Sequence, residues 1–120
     1  GVAADKLVLG MPFYGYLYEG TAAEREGRYS TFSKARALGY DSLKRTYLNN
    51  PAFSSFFHEG AVVPYLYGNG TFLSYENPRS IMAKAAFARN SGLAGVGIWE
   101  LSHDSGGELL ESARAGLAGA

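Results

Sequence analysis

The sequence predicts two strands of a parallel α/β sheet or barrel, separated by an antiparallel α+β insertion and a well-capped helix. Three observations carry this reading. Two nearly continuous apolar runs, Lys6–Tyr14 (KLVLGMPFY) and Leu93–Trp99 (LAGVGIW), have the unalternating pattern of strands covered on both faces. A helix with strong start and stop signals precedes the second run, as in a β-α-β arrangement. Between the first run and that helix, Gly68-Asn69-Gly70 marks a hairpin. Two buried strands do not make a closed sheet, since a barrel of this kind has eight. The chain is therefore expected to be a piece of a longer protein, an expectation that its start at Gly1 shares.

The elements follow in order. In the first run, Gly10 predicts close approach of another backbone or side chain, and Pro12 predicts weakened pairing because it lacks a ladder donor. Gly15–Tyr29 is rich in Gly, Glu, Arg and Tyr and reads as a loop. Thr31–Leu48 carries helical signals: Ser33 as a cap, then Tyr40, Leu43, Tyr47 and Leu48 at helical spacing. Asn49-Asn50-Pro51 ends that helix, because the residue before proline avoids the helical region. Phe53, Phe56 and Phe57 precede Ala61–Tyr67, and Thr71–Tyr75 is the return strand of the hairpin.

The next helix has Asn77 as N-cap, Pro78 at the first helical position and Gly92 at the left-handed C-terminal position. Ile81, Ala85 and Ala86 mark its apolar face with Phe87 beside it, while Arg79, Lys84 and Arg89 point to water. A last helix over Gly107–Gly116 presents Leu109, Leu110 and Ala113.

Composition narrows the function. The chain has 120 residues, 47% hydrophobic and 18% charged, enough for a folded core. Eleven basic side chains balance eleven acidic ones, so no net field favours nucleic acid or an anionic membrane. No apolar run reaches the roughly 18 residues of a membrane span. The absence of cysteine excludes disulfides, thiol nucleophiles and thiolate metal sites. Aromatic residues reach 14%, nine of them Tyr, which fits either a wet recognition surface or a core of large rings.

No self-contained catalytic set is present. His58 and His103 lack metal-spaced partners and read as surface or loop histidines, so no metal or cofactor is expected. Gly-x-Ser-x-Gly and phosphate-loop patterns are missing. Glu100 and Asp104 follow Trp99 at the carboxyl end of the second apolar strand, where barrels place their sites. Alternation turns Glu100 outward if Trp99 faces inward, so Glu100 is expected to pair with a Lys or Arg on a helix. Trp99, the sole Trp, is either the floor of a sugar subsite or an aromatic cap on the core.

These residues resemble a known family. KLVLGMPFYGY is similar to the seventh barrel strand of the family-18 glycoside hydrolases, the chitinases and their relatives. The segment VPYLYGNGTFLSYENPRSIMAKAAFARNSGLAGVGIWELSHD resembles the end of their insertion domain, the following helix and the eighth strand. The resemblance runs from about Lys6 to Leu110. Its motifs are Gly-x-Pro-x-Tyr-Gly, Tyr-(Asp/Glu)-x-x-x-Ser and Gly-x-x-x-Trp-Glu, in that order.

It implies an α+β chain forming part of a TIM (β/α)8 barrel. Residues 1–16 would be strand seven, 17–76 the insertion domain, and 77–120 helix seven, strand eight and helix eight. It implies substrate-assisted, retaining hydrolysis of β-1,4-linked N-acetylglucosamine polymers such as chitin. In that route the acetamido group attacks the anomeric carbon while a Glu protonates the leaving oxygen. By motif, Trp99 matches the tryptophan under the sugar, Tyr14 a cleft tyrosine, and Asp41 an acidic residue that reaches substrate. Tyr16 stands where the family often has Arg.

The family's Asp-x-x-Asp-x-Asp-x-Glu strand is absent, Asp5, Asp41 and Asp104 being isolated. The chain alone is therefore expected to be inactive, with no catalytic residue of its own, and to need the remainder of the barrel as partner. Isolated, it is expected to self-associate through its exposed strand edges. A non-catalytic chitin-binding module and a fragment of a peptidoglycan-type N-acetylglucosaminidase are the alternative readings. The polymer's location implies secretion.

Overall fold

The computed structural model describes residues 1–119; Ala120, the last residue of the segment 77–120, lies outside the described residues. In chain order the strands are β1 (Val8–Pro12), β2 (Tyr14–Glu19), β3 (Lys34–Gly39), β4 (Ser54–His58), β5 (Val63–Gly68), β6 (Thr71–Ser74) and β7 (Gly95–Trp99). The helices are α1 (Tyr40–Leu43, continued by a π-helical turn over Lys44–Leu48), α2 (Pro78–Asn90) and α3 (Glu108–Ala118). Two sheets result: a parallel pair β1-β7 and a five-stranded antiparallel sheet ordered β3-β2-β6-β5-β4.

The parallel pair is in register from Val8 opposite Gly95 to Pro12 opposite Trp99. It continues past Pro12, because the Phe13 N–H donates to the Trp99 carbonyl at 2.7 Å. Successive N–H groups point to opposite strand edges, so proline's missing donor falls on the edge of β1 away from β7, where it costs no pairing. Leu9, Met11, Phe13, Val96 and Ile98 face the helices and pack with Tyr40, Ile81, Leu109 and Ala113.

The opposite face is open. Val8 is 60% exposed, and a Cβ on Gly10 would meet nothing within 4 Å. The expected covering on both faces is thus present on one only, and the close approach expected at Gly10 does not occur. Side chains alternate across a strand, and no layer of the described residues lies over the second set.

Helix α2 has the capping chemistry that its sequence predicts. The Asn77 side chain accepts from the Ser80 N–H at 2.9 Å, and the Ser80 hydroxyl accepts from the Asn77 N–H at 2.9 Å. At the other end the Leu93 N–H reaches the Ala88 carbonyl and the Gly92 N–H that of Arg89, closing a Schellman motif around Gly92 at φ +70°. Its buried face is Ser80, Ile81, Ala85 and Ala88; Ala86 is only half-buried and Phe87 is exposed. Lys84 is half-buried and pairs with buried Glu76, so it does not reach into water as expected.

Helix α3 starts and ends one to two residues later than predicted, and Leu110 is exposed where Ser112 and Gly116 are buried. Gly116 marks the α2–α3 crossing. A Cβ there would lie 2.5 Å from the Met82 carbonyl oxygen and 2.7 Å from the Ala85 Cβ.

The antiparallel sheet corrects two expectations. Tyr14–Glu19 is a strand and not the start of a loop, pairing β3 on one side and β6 on the other. Its period-2 pattern puts Gly15 and Leu17 inside, against Tyr14, Tyr16 and Tyr18 outside. Lys34–Gly39 is also a strand, despite a helix-favouring composition, because β2 offers it a full antiparallel edge. Ser33 caps no helix; its hydroxyl donates to the Glu19 carbonyl at 3.2 Å. The helix begins at Tyr40 and stops at Leu48, as Asn49-Asn50-Pro51 requires.

The hairpin β5-β6 turns through Asn69 (φ +50°) and Gly70 (φ +75°), both left-handed as a two-residue type I′ loop demands. Leu17, Leu43, Leu66, Leu73 and Tyr75 form the second core beneath this sheet.

Two buried phenols bridge these layers and set an alkaline limit. Burial pushes the Tyr75 pKa up to about 12. Burial, reinforced by a 2.9 Å hydrogen bond to Glu108, raises that of Tyr40. Raised values favour the neutral form, so this contribution to stability is intact below the ordinary tyrosine value of about 10 and is lost as pH rises above it. Denaturant unfolding followed between pH 9 and 12, with phenolate absorbance, should show stability falling together with the late ionisation of two tyrosines.

Candidate functional site

The site grows from the junction of the two sheets. Phe13, fully buried, joins β1 to β2. Its N–H holds the Trp99 carbonyl and its own carbonyl accepts from the Tyr40 N–H at 3.1 Å. With that residue fixed inward, alternation turns Tyr14 the other way, and Tyr16 and Tyr18 follow on the same face of β2.

Trp99 closes β7 on the open face of the parallel pair, 69% exposed, and the peptide bond after it to Glu100 is cis. Tyr14 and Tyr16 meet edge to face with ring centroids 5.9 Å apart, and Tyr16 and Tyr18 lie 6.2 Å apart. An open cavity of about 380 Å³ is lined by Tyr14, Tyr16, Leu38, Gly39, Trp99 and His103 among others. Another of about 430 Å³ lies on the strand side of Trp99, lined by Gly10, Pro12, Tyr14 and Gly97 among others.

Trp99, Tyr14 and Tyr16 are thus brought together. Asp41 is not. It lines neither cavity at Trp99, and its carboxylate accepts from the Ser105 N–H at 2.9 Å. That hydrogen bond, with smaller help from the Lys44 and Arg45 charges, holds the Asp41 pKa below the ordinary carboxylate range. Its place in the fold is to fix the loop that follows Trp99.

The other acids behave likewise. Asp104 is buried, and its carboxylate accepts from the Leu110 N–H at 2.9 Å, anchoring α3. Glu100 is half-buried, and no ion pair among the described residues involves it, so the expected pairing with a helix cation is absent.

Three participants escape the sequence reading. His103, expected as a surface or loop histidine, sits on the loop after Trp99 with its ring against Gly39, lines the 380 Å³ cavity, and keeps a buried Nδ1 without a hydrogen-bond partner. Glu76 pairs with Lys84 through Oε1 and leaves Oε2 buried and unpartnered beside a cavity of about 240 Å³ shared with Tyr14, Tyr16 and Tyr18. Tyr18 itself was legible as the third member of the Tyr-x-Tyr-x-Tyr alternation. His58 is structural, its Nδ1 accepting from the Ala61 N–H at 3.0 Å.

Chemically this surface offers flat rings, phenol hydroxyls and one imidazole. No carboxylate lines either cavity at Trp99, so the flanking acids that glycoside cleavage requires are not supplied there. No group of three metal-ligating side chains occurs among the described residues, and no described helix is long and apolar enough to cross a membrane.

The family model for glycosyl hydrolases family 18 matches residues 1–104. Chitinase A1 of Niallia circulans is 37% identical over 128 aligned residues, covering 98% of this chain and 18% of that protein. Among solved structures, a family 18 N-acetylglucosaminidase from Paenibacillus barengoltzii superposes with a TM-score of 0.88 at 29% identity, covering 97% of this chain and 35% of that one. Chitinase ChiA74 from Bacillus thuringiensis gives 0.88 at 32% identity, covering 99% of this chain and 24% of that one. The chain therefore spans a minor part of each of these proteins.

Proposed function

The chain belongs to family 18 of the glycosyl hydrolases and folds as part of that family's barrel, and from this premise we propose that it forms one wall of a chitinase-like substrate cleft. Residues 1–16 would supply barrel strand seven, 17–76 the insertion domain, and 77–120 helix seven, strand eight and helix eight. The polymer is β-1,4-linked N-acetylglucosamine. Trp99 is the floor on which one sugar ring rests, and Tyr14 and Tyr16 are the adjoining wall. Asp41 acts one step back, holding the loop beside Trp99. The proton donor comes from an Asp-x-x-Asp-x-Asp-x-Glu strand outside these 120 residues, and the substrate's acetamido group is the nucleophile.

The observation that carries this reading is an indole more than two-thirds exposed at the carboxyl end of a parallel strand, flanked by tyrosine rings. An apolar ring that leaves more than two-thirds of its surface in water contributes little to folding, and it fits the apolar face of a pyranose. Exposed Val8 and Leu101 and the outer edges of β1 and β7 support the remainder of the barrel as partner. Isolated, the same surfaces favour self-association. Because the polymer is extracellular, the reading implies secretion.

The full-length protein should release N-acetylglucosamine oligomers from chitin, and the 120-residue chain should release none. Hydrolysis by the 120-residue chain would overturn the assignment of the acid to another segment. Cleavage of peptidoglycan without cleavage of chitin would overturn the substrate. Tight binding by a full-length protein that cleaves neither would favour the non-catalytic module.

A further inference from the structure

Resting on the cleft reading above, we propose that Glu108 is a positioning residue for the sugar site at Trp99, setting the spacing between Trp99 and β3 through a tie to Tyr40 and Lys44. The cavity at Trp99 has two walls from different parts of the chain. One is Tyr14 and Tyr16 of β2 with Leu38 and Gly39 of β3; the other is Trp99 at the end of β7 and His103 on the loop after it. Among the described residues β3 and β7 belong to separate sheets, so no strand pairing sets the distance across the cavity.

What crosses between the walls is the start of α1. Gly39, its N-cap, lies so close to the His103 ring that a Cβ there would be 2.9 Å from two ring carbons. Tyr40 follows, donating its N–H to the Phe13 carbonyl at 3.1 Å and its hydroxyl to Glu108 Oε1 at 2.9 Å. One turn on, Lys44 donates to Glu108 Oε2 at 2.8 Å, its ammonium 5.5 Å from the centre of the Tyr40 ring. Both oxygens of the carboxylate that opens α3 are thus engaged by α1. The loop between Trp99 and α3 is held at one end by β7 and at the other by Glu108, with the Asp41–Ser105 hydrogen bond between them.

Folding alone gives this tie little reason to exist. The side chains of Glu108 and Lys44 are 42% and 44% exposed, and so wet an ion pair adds little to global stability. Its geometry is specific all the same, because a phenol and an ammonium on separate oxygens of one carboxylate fix direction as well as distance. The hydrogen bond from Lys44, with help from that of Tyr40, holds the Glu108 carboxyl below the ordinary carboxylate range, so it is ionised at neutral pH. Glu108 lines neither cavity at Trp99 and touches no sugar there. It acts through α1, which sets Gly39 against His103. Releasing it widens the cavity and weakens the grip on the sugar, while the proton donor in another segment is left alone.

Steady-state kinetics of the full-length protein on N-acetylglucosamine oligomers test this. Glu108→Ala should raise KM about threefold to tenfold and leave kcat within about twofold. Lys44→Met keeps the stem over the Tyr40 ring and removes the charge, and it should raise KM by a smaller factor. Glu108→Gln keeps an acceptor for the Tyr40 hydroxyl and should recover part of the loss. The double variant Glu108→Ala/Lys44→Met should be no worse than Glu108→Ala, because both changes act through one carboxylate. An unchanged KM in Glu108→Ala overturns the proposal even if the melting temperature falls, since the tie would then serve the fold alone. Additive effects in the double variant overturn it too, as does a fall in kcat at unchanged KM. Were Glu108→Ala not to fold, an unchanged KM in Lys44→Met would have the same force. Undiminished kcat/KM in Trp99→Ala would sink the cleft reading itself, an outcome distinct from all of these.

Discussion

Trp99→Ala should lower kcat/KM for N-acetylglucosamine oligomers by about tenfold to a hundredfold in the full-length protein, with no more than a small change in melting temperature. The two halves of this expectation come from one fact. The indole is mostly exposed, so in the free protein its removal opens no cavity and forfeits little buried area. Against a sugar ring the same surface is dehydrated, and losing an aromatic side chain's worth of burial costs about 1.5–3 kcal/mol. Trp99→Phe, which keeps a smaller ring, should fall between. A variant that melts well below the parent would show that residue 99 serves the core, and the subsite assignment would be lost with it.

Phe13→Ala should do the reverse. Its side chain is fully buried between Met11, Tyr40, Ile81 and Leu109, so truncation leaves a cavity costing about 3–5 kcal/mol. That lowers the melting temperature by about ten degrees or more. Its main chain also ties Trp99 to Tyr40, so a shift of Phe13 moves the site along with the core. Phe13→Leu should recover most of the loss, since it refills much of the volume. A loss under about 1 kcal/mol in denaturant titrations would mean that the junction of the two sheets is not where the fold is held.

Much of the scaffold can be read from local chemistry. Asn77, Pro78, Ser80 and Gly92 define α2 because caps depend on groups three or four residues apart. Asn69-Gly70 defines the hairpin because a two-residue turn needs two left-handed positions. The two apolar runs name the parallel strands, and Trp99, Tyr14 and Tyr16 stand on or beside their ends. What misled was composition where pairing decides. Lys34–Gly39 reads as helix but lies along β2, and Gly15 begins a polar-looking stretch whose first residues, through Glu19, belong to an interior strand of a sheet.

The candidate surface divides along the same line. Sequence alone placed an aromatic cluster at the carboxyl end of an apolar strand, since residue order and strand alternation are local properties. Which polar groups join it depends on contacts between residues far apart in the chain. Asp41 is drawn away by an N–H 64 positions distant. His103 is brought in by its packing on Gly39. Such contacts form only when the sheets have assembled, so their partners are selected by the assembled fold and cannot be read from sequence spacing.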